Sequence, residues 1–395
     1  MNFEKLYLRF MELLQLFDKN YEEIRVSGFE SRYLPFSELK IYLDEKFPDK
    51  KSIGKSFLGN DVFHLKIGNG KRNILAWSQM HGNESTGTRA MFDVFEFLKI
   101  ENNWSKSILE EFTFHFIPML NPDGATLYTR RNASGIDLNR DFVKESSPEI
   151  KILKEFVKSN TFDFMFNLHD QRTIFNVELT AEPATLAFLA PSADFQRSLN
   201  DTRRKVMSVI SFMNQHLQTY IPGKIARFSD EFYPNSTGDN FTQMGIPTLL
   251  FEAGHFPNDY GRNKVRKYNA LAILLALEAI LEHRDFETEG YFEIPQNAKQ
   301  FLDVVLRNVL VKSSHAETLL DIGIYFQEKL NKETHEIEFC SVVEEIGDLS
   351  AYFGHVDVDL NGKTYIGKSA VFPILGQMAD FSVGNLHFDK GKFIK

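Results

Sequence analysis

The sequence predicts an α/β fold built on a doubly wound sheet, with helices on both faces of a parallel or mixed sheet. Apolar strand-like runs alternate with helical stretches between about residue 50 and residue 282, and this alternation is typical of such folds. The chain has 395 residues, of which 43% are hydrophobic, and this is enough for one large core and a smaller one. Open sheets of this kind place their functional groups at the carboxyl ends of strands.

The elements of this pattern follow one another along the chain. Residues 1–50 are predicted to form a helical segment, because the first twenty carry apolar residues at helical spacing. The next predicted elements alternate between the two types. Strands are predicted at 61–67, 73–80, 112–119, 162–168 and 246–251, and helices at 86–100, 149–158, within 198–220 and at 267–282.

The last hundred residues have a different character. The polar segment Glu282–Gly290 is typical of a connection, so we expect a first domain over 1–289 and a small β domain over 290–395. Strands of the β domain are predicted at 304–311, 322–327, 337–343 and 355–360. Asn361-Gly362 predicts a hairpin turn between 357–360 and 363–366. The role of this domain stays open among gating a cleft, dimerisation and stability, and the oligomeric state is unknown.

Composition excludes several classes of partner. The net charge of −9 and the pI near 5.7 offer no footprint for nucleic acid. No apolar stretch reaches the roughly 18–20 residues of a membrane span, and the N-terminal stretch reads as an amphipathic helix rather than a signal. The single cysteine, Cys340, excludes an internal disulfide framework and suits a reducing compartment. We therefore expect a cytoplasmic protein whose metal sites, if any, use histidine and carboxylate.

Four metal-binding or acid-base side chains follow predicted strands. His81 and Glu84 stand three residues apart directly after strand 73–80, His169 ends strand 162–168, and Glu252 ends strand 246–251. Two histidines and a carboxylate leave a tetrahedral zinc ion with an open position for water, as in hydrolytic sites. A second carboxylate is then needed to take the proton of that water and pass it to a leaving amine, and Glu252 is the natural candidate.

A polar excursion between the second and third of these ligands could bind an anion. It begins at Asn121-Pro-Asp-Gly124 and contains two adjacent arginines, followed by Asn139-Arg140. An arginine beside an asparagine can hold a carboxylate through forked, charge-assisted hydrogen bonds. The sequence therefore places a potential carboxylate clamp in the same region as the metal ligands.

Taken together, these motifs resemble the zinc metallocarboxypeptidase family. The resemblance covers about residues 50–285 and depends on His81-Gly-Asn-Glu84, Asn121-Pro-Asp-Gly124, Gly135-Ile-Asp-Leu-Asn-Arg140, His169 and Glu252. It implies the zinc carboxypeptidase type of doubly wound mixed sheet. It also implies one zinc ion per chain, bound by His81, Glu84 and His169, with Glu252 as general base and acid.

The resemblance further implies roles for residues around the metal. Asp137 would accept a hydrogen bond from the first histidine and fix its tautomer. Arg131 would stabilise the oxyanion, although Arg130 is an alternative because the segment needs a one-residue gap to align. Asn139 and Arg140 would hold the terminal carboxylate of the substrate. Tyr233 is the best placed candidate for a substrate-capping tyrosine, with Tyr220 and Tyr260 behind it.

The function implied is zinc-dependent hydrolysis of a C-terminal or equivalent amide bond in a peptide. The related aspartoacylase and succinylglutamate desuccinylase branch shares the His-Gly-Asn-Glu and Asp-Leu-Asn-Arg runs and also has a C-terminal β domain, so an N-acyl amino acid deacylase is the alternative. Asn121-Pro-Asp-Gly124 and the long stretch between His169 and Glu252 favour the peptidase. A binding module without catalysis is disfavoured, because the ligands, the base and the anion clamp are all present.

Several polar residues near these motifs have ordinary structural interpretations. His115, within a strand, is expected to be a packed or solvent-facing residue rather than a ligand, and Asp239 is expected at the surface rather than in a specificity pocket. Asp170 and Gln171 are expected to be polar loop residues rather than partners of the metal ligands. His255 could equally touch substrate or cap a loop.

Overall fold

The computed structural model describes residues 3–282, 288–368 and 370–394. The chain divides into two compact units, one of residues 1–171 and 184–297 and one of residues 172–183 and 298–395. The main division thus falls between 297 and 298, whereas the sequence places a domain boundary between 289 and 290. Residues 283–287 of the predicted connection lie outside the described residues.

The first unit contains all the helices of the described residues. It also contains the first nine strands except β6, which belongs to the second unit. The helices are α1 Phe3–Ile24, α2 Phe36–Lys46, α3 Thr86–Leu98, α4 Asn103–Glu111, α5 Pro122–Leu127, α6 Pro148–Lys158, α7 Asp201–Leu217, α8 Thr237–Gln243, α9 Asn263–Glu282 and α10 Glu289–Phe292, with a short 3-10 helix at Leu138–Arg140. The first nine strands are β1 Lys51–Lys55, β2 Asp61–Ile67, β3 Arg72–Trp77, β4 Phe112–Ile117, β5 Phe164–Asp170, β6 Asn176–Val177, β7 Leu186–Leu189, β8 Ile225–Arg227 and β9 Thr248–Ala253.

Eight of these strands form one mixed sheet in the order β1-β2-β4-β3-β5-β9-β7-β8. Its centre is parallel: β4, β3, β5 and β9 run in the same direction. At the sides, β2 is antiparallel to β4 and β7 is antiparallel to β9. The four central strands therefore end at the same edge of the sheet.

Helices cover both faces of this sheet. Alternate residues of a strand point to opposite faces, and in β3 Ile74 and Ala76 enter a large core while Leu75 and Trp77 enter a smaller one. The large core is filled mainly by α1, α3, α4, α7 and α9, and the smaller one by α6 and α8. The predicted α/β fold with a doubly wound mixed sheet is confirmed.

The second unit consists mainly of β-strands. Its strands after residue 298 are β11 Phe301–Lys312, β12 Glu317–Asn331, β13 Glu336–Gly347, β14 Phe353–Asp359, β15 Tyr365–Gly367, β16 Phe381–Val383, β17 Leu386–Asp389 and β18 Lys392–Ile394, and the two-residue strand β10 Asn297–Ala298 precedes them. They form two four-stranded sheets, β13-β12-β11-β14 and β15-β16-β17-β18. Val304, Ile324 and Phe381 belong to their shared apolar core. The four predicted strand patterns lie in β11 to β14 and the predicted hairpin strand 363–366 overlaps β15, while β16 to β18 were not predicted.

The predicted hairpin at Asn361-Gly362 is wrong. Both residues have the left-handed backbone that such a turn requires, with φ of 50° and 75°. However, β14 pairs in parallel with β11, and β15 pairs with β16 in the other sheet. The Gly362 N–H donates to the Asn308 carbonyl at 2.9 Å, and Leu310 N–H donates to the Lys363 carbonyl at 3.0 Å. The chain after the turn therefore continues beside β11 instead of folding back on β14.

The helix α9 is largely apolar. Most of its residues are fully buried in the large core, between α3 and α7. Within the described ranges, no helix combines the length and the apolar composition that crossing a membrane would require.

A buried ion pair joins α9 to α3. Arg266 on α9 contacts Asp93 on α3 through two hydrogen bonds of 2.6 and 2.7 Å, and both side chains are completely shielded from solvent. Asp93 also accepts from Val26 N–H at 2.9 Å and from the Tyr21 hydroxyl at 3.2 Å. Arg266 donates to the Phe29 carbonyl at 2.8 Å. The pair therefore attaches the segment after α1 to the two central helices.

We expect Asp93→Asn to lower the free energy of unfolding by about 3–5 kcal/mol, because it leaves the Arg266 charge buried without compensation. Urea unfolding followed by tryptophan fluorescence measures this, since both tryptophans, Trp77 and Trp104, are buried in the first unit. Lys106→Ala is the control. It breaks an exposed 3.8 Å pair with Glu110 and should change stability by less than about 0.5 kcal/mol. Equal effects of the two substitutions would contradict the prediction.

Candidate functional site

The carboxyl ends of the central strands bring the predicted metal ligands together. His169 is the penultimate residue of β5, and it is the register partner of Glu252 on the adjacent parallel strand β9. The turn after β3 carries His81 and Glu84 and leads into α3. His81, Glu84 and His169 are all buried.

Close backbone packing determines the shape of the turn that carries the first two ligands. Gln79 has a left-handed backbone with φ of 44°, which is uncommon for a residue other than glycine. A Cβ atom on Gly82 would lie 2.0 Å from the backbone carbon of Gly124, so only glycine fits there. The Asn121 side chain donates to the Met80 carbonyl at 3.2 Å. The two motifs that contain Gly82 and Gly124 therefore pack directly on each other.

The three ligand side chains converge on one point. His81 Nδ1 lies 2.9 Å from Glu84 Oε1 and 3.1 Å from His169 Nδ1. His169 Nδ1 lies 2.9 Å from Glu84 Oε2. Among the residues that the structure describes, these three form the one group of at least three histidine, cysteine or carboxylate side chains arranged to hold a metal.

This donor set fits zinc. A tetrahedral zinc ion with bonds of about 2.0–2.2 Å places its ligand atoms roughly 3.3 Å apart, close to the spacings observed between His81, Glu84 and His169. Two imidazoles and one carboxylate also match a site that keeps one position open for water.

Asp137 orients the first histidine. Its carboxylate lies 3.1 Å from His81 Nε2 and also accepts from the backbone N–H of Asn139 at 3.0 Å, at the start of the 3-10 helix. A proton on Nε2 leaves the Nδ1 lone pair for a metal. Burial acts in the opposite direction, but the hydrogen bond from His81 and the charges of His81 and Arg130 lower the pKa of Asp137 well below its usual value.

The two adjacent arginines have different surroundings. Arg130 donates through Nε to Asp137 at 3.0 Å, and its Nη1 lies 3.3 Å from Glu84 Oε1. Arg131 is exposed and donates through Nη1 to the Gly135 carbonyl at 2.9 Å. Arg130 therefore lies beside the ligand group, and Arg131 does not.

The predicted substrate-binding residues Arg140 and Tyr233 contact each other, and Asn139 adjoins Arg140. The exposed Arg140 guanidinium is 5.0 Å from the centre of the Tyr233 ring, and it donates to the Asn139 carbonyl at 2.7 Å. Asn139 in turn accepts from the Thr237 N–H at 3.0 Å. Tyr233 is 42% exposed, and its hydroxyl donates to Glu231 at 3.1 Å.

The two other tyrosines considered for capping have different contacts. The Tyr220 hydroxyl bonds to Asp18 on α1 at 3.0 Å, and the Tyr260 ring packs against His255. The other polar residues also have structural partners. The expected surface position of Asp239 is wrong, because this residue is buried and accepts a hydrogen bond from Ser236 at the start of α8. His115 contacts His64 at 3.1 Å in the strand pair β2 and β4.

Glu252 lies on β9 directly beside His169 on β5. Burial raises the pKa of its carboxyl group, and the negative charges of Glu84 and Asp170 act in the same direction, while Arg130 and Arg262 oppose them.

Comparisons with known proteins give a consistent result. A sequence profile described as zinc carboxypeptidase matches residues 42–243. An uncharacterised protein of Zymomonas mobilis subsp. mobilis is 31% identical over 132 residues, which are 32% of this chain and 35% of that protein. Carboxypeptidase SOL1 of Arabidopsis thaliana is 28% identical over 146 residues, 32% of this chain and 29% of that protein. The matches thus span about a third of the length of these relatives.

The fold agrees with a solved structure. Carboxypeptidase A from Helicoverpa armigera superposes with a TM-score of 0.53 at 15% identity, over 69% of this chain and 81% of that chain. The family profile covers just over half of the 395 residues, and its range includes the three ligands, Asp137, both arginines, Asn139, Arg140 and Tyr233, while Glu252 lies beyond its end. The chain belongs to the zinc carboxypeptidase family.

Proposed function

We propose that this protein is a zinc-dependent metallocarboxypeptidase that hydrolyses a C-terminal or equivalent amide bond of a peptide. The observation that supports this most directly is the group of His81, Glu84 and His169, whose ligand atoms all lie within 4.8 Å of one another. The group is buried at the strand edge that also carries Glu252.

The zinc ion would be held by the Nδ1 atoms of His81 and His169 and by the Glu84 carboxylate. When bound, zinc supplies a coordinated water of lowered pKa and polarises the scissile carbonyl. Asp137 keeps the His81 proton on Nε2, so that Nδ1 faces the ligand group.

Glu252 carries out the proton transfers. Its carboxylate accepts a proton from the attacking water and later donates it to the leaving amine nitrogen. Its place on β9 beside His169 supports this role, because the strand pairing holds both residues at the same level of the sheet.

Arg130, rather than Arg131, stabilises the negative charge that develops on the carbonyl oxygen. The hydrogen bond from Arg130 Nε to Asp137 holds the guanidinium near the ligands, while Arg131 is engaged with Gly135. A cationic donor held in place before the reaction stabilises a developing oxyanion without reorganisation.

Asn139 and Arg140 bind the free carboxylate of the substrate, and Tyr233 covers the bound residue. Arg140 offers the planar donor geometry that matches a carboxylate, and its contact with the Tyr233 ring brings the clamp and the cap together.

All these residues lie in the first unit, so we propose residues 1–289 as the catalytic domain and 290–395 as a β domain, although the second compact unit begins only at 298 and also includes 172–183. We also propose a cytoplasmic location. The single thiol of Cys340 is compatible with a reducing compartment.

The purified protein should release the C-terminal amino acid from N-blocked dipeptides, and a zinc chelator should abolish the release until zinc is restored. N-blocked dipeptide amides are the control, and they should not be cleaved because Arg140 then lacks its carboxylate partner. N-acetyl and N-succinyl amino acids are assayed in parallel by amine release. Cleavage confined to these N-acyl amino acids would refute the peptidase and indicate a deacylase.

Glu252→Gln should retain one zinc ion per chain and lose about 10²–10⁴-fold in kcat, because an amide cannot accept the proton of the attacking water. Zinc content is measured by elemental analysis, and turnover with the dipeptide substrate. The matched control is Glu278→Gln on α9, a buried glutamate that accepts from the Trp104 indole at 2.8 Å. It should keep its kcat. An active Glu252→Gln protein would refute the mechanism.

Arg130→Ala should lower kcat by about 10²–10³-fold, because removing an oxyanion donor has a cost of this size. The neighbouring variant Arg131→Ala should change kcat little, since its guanidinium faces the Gly135 carbonyl. Steady-state kinetics of the two variants, with zinc content checked for each, separates the assignments. The reverse order of effects would assign the oxyanion role to Arg131.

A further inference from the structure

We propose that the buried pair Asp170 and Arg262 is a positioning unit. It holds the turn that carries Glu84, the end of β5 and the end of β9 in fixed relative positions. This inference rests on the zinc site of the proposed function and extends beyond it, since neither side chain touches the metal or the substrate. The sequence suggested only a polar loop residue at Asp170 and nothing at Arg262.

Asp170 connects β5 to α3 and to the turn after β3 that carries His81 and Glu84, which we call the ligand turn. Its backbone N–H donates to Glu84 Oε2 at 3.1 Å, so it orients a metal ligand directly. Its Oδ2 atom accepts from the hydroxyl of Thr86 at 2.7 Å and from the Thr86 N–H at 3.3 Å. Thr86 is the first residue of α3 and follows Glu84 by two positions.

Arg262 connects β5 to β9. Its Nη1 donates to the Ala253 carbonyl, directly after Glu252, and its Nη2 donates to the Gln171 carbonyl, both at 2.6 Å. Nη1 also lies 3.5 Å from Asp170 Oδ2. One guanidinium therefore links the ends of the two strands that carry His169 and Glu252.

Because both side chains are buried, displacing any of their partners is energetically unfavourable. The side chains of Asp170 and Arg262 are only 4% and 2% exposed, and a buried charge without a partner is strongly unfavourable. The turn before α9 fixes the base of Arg262, because Asp259 accepts three N–H bonds from residues 263–265. Any shift of Thr86, Asp170 or Ala253 would leave one of these charges less well compensated.

The contacts together form a chain from Glu84 through Asp170 and Arg262 to the residue after Glu252. Partners that orient metal ligands typically contribute about 10- to 100-fold to metal affinity. The unit should therefore act on zinc affinity through Glu84, and not merely on the stability of the fold.

The test measures the zinc dissociation constant by competition with a chromophoric chelator, together with the unfolding midpoint of the zinc-free protein. Arg262→Gln should weaken zinc binding about 10- to 100-fold. Thr86→Val keeps the shape of the side chain, removes the hydroxyl donor and should weaken it about 5- to 10-fold. If both act through Asp170, the double variant should lose less than the product of the two single effects.

Asp93→Asn is the matched control, because it breaks another buried ion pair that contacts α3 but none of the ligand residues. It should lower the unfolding midpoint and leave the zinc dissociation constant within about twofold of the value for the unmodified protein. A purely structural role of Asp170 and Arg262 predicts the same result for Arg262→Gln and Thr86→Val, and that outcome would overturn the proposal. If Arg262→Gln does not fold, Thr86→Val decides alone.

Metal affinity is measured without peptide, so the outcome is separate from the proposed activity. Weakened zinc binding in both variants supports the positioning unit even if the protein cleaves no peptide. Unchanged zinc binding overturns it even if the protein is an active carboxypeptidase.

Discussion

The parallel pairing of β3, β5 and β9 is the constraint on which the rest of the site depends. Because adjacent parallel strands end at one edge of a sheet, residues far apart in the chain arrive there together. His169 and Glu252 are direct register partners, so a shift of one residue between β5 and β9 would turn one of them to the other face of the sheet. The complete burial of β5 and the apolar packing on both faces hold this register.

Burying so many charged groups at that edge has a physical cost, which is large unless each group has a partner. Glu84 receives the Asp170 N–H and the Arg130 guanidinium, and Asp170 receives the Thr86 hydroxyl and Arg262. The charges thus compensate one another in a connected arrangement, in which each contact restricts the position of the next. A hydrolytic zinc site needs compensated charges and restricted positions, because its ligands must stay oriented while one coordination position remains open.

The sequence was sufficient for the parts of the structure that local patterns encode. Apolar runs ending in His169 and Glu252 identify buried strands and their carboxyl ends, so the sheet and the ligand group could be predicted. Neighbouring residues in an irregular segment, such as Arg130 and Arg131, could not be distinguished, because no periodicity determines which one turns inward. The Asn361-Gly362 turn was recognised, but the strand that pairs with β14 was not, since a turn signal carries no information about a partner from β11. The contact between Asp170 and Arg262 joins distant parts of the chain and has no local signature.

The turn that carries His81 and Glu84 also contacts the segment between α1 and α2. The hydroxyl of Ser85, which follows Glu84, donates to the Arg32 carbonyl at 2.6 Å, and the Gln79 amide lies 3.4 Å from the Leu34 carbonyl. Both carbonyls belong to the segment between α1 and α2. It precedes the part of the chain that the family profile covers. The turn carrying His81 and Glu84 therefore contacts both β5 and the N-terminal segment, so its geometry depends on residues outside the recognisable motifs.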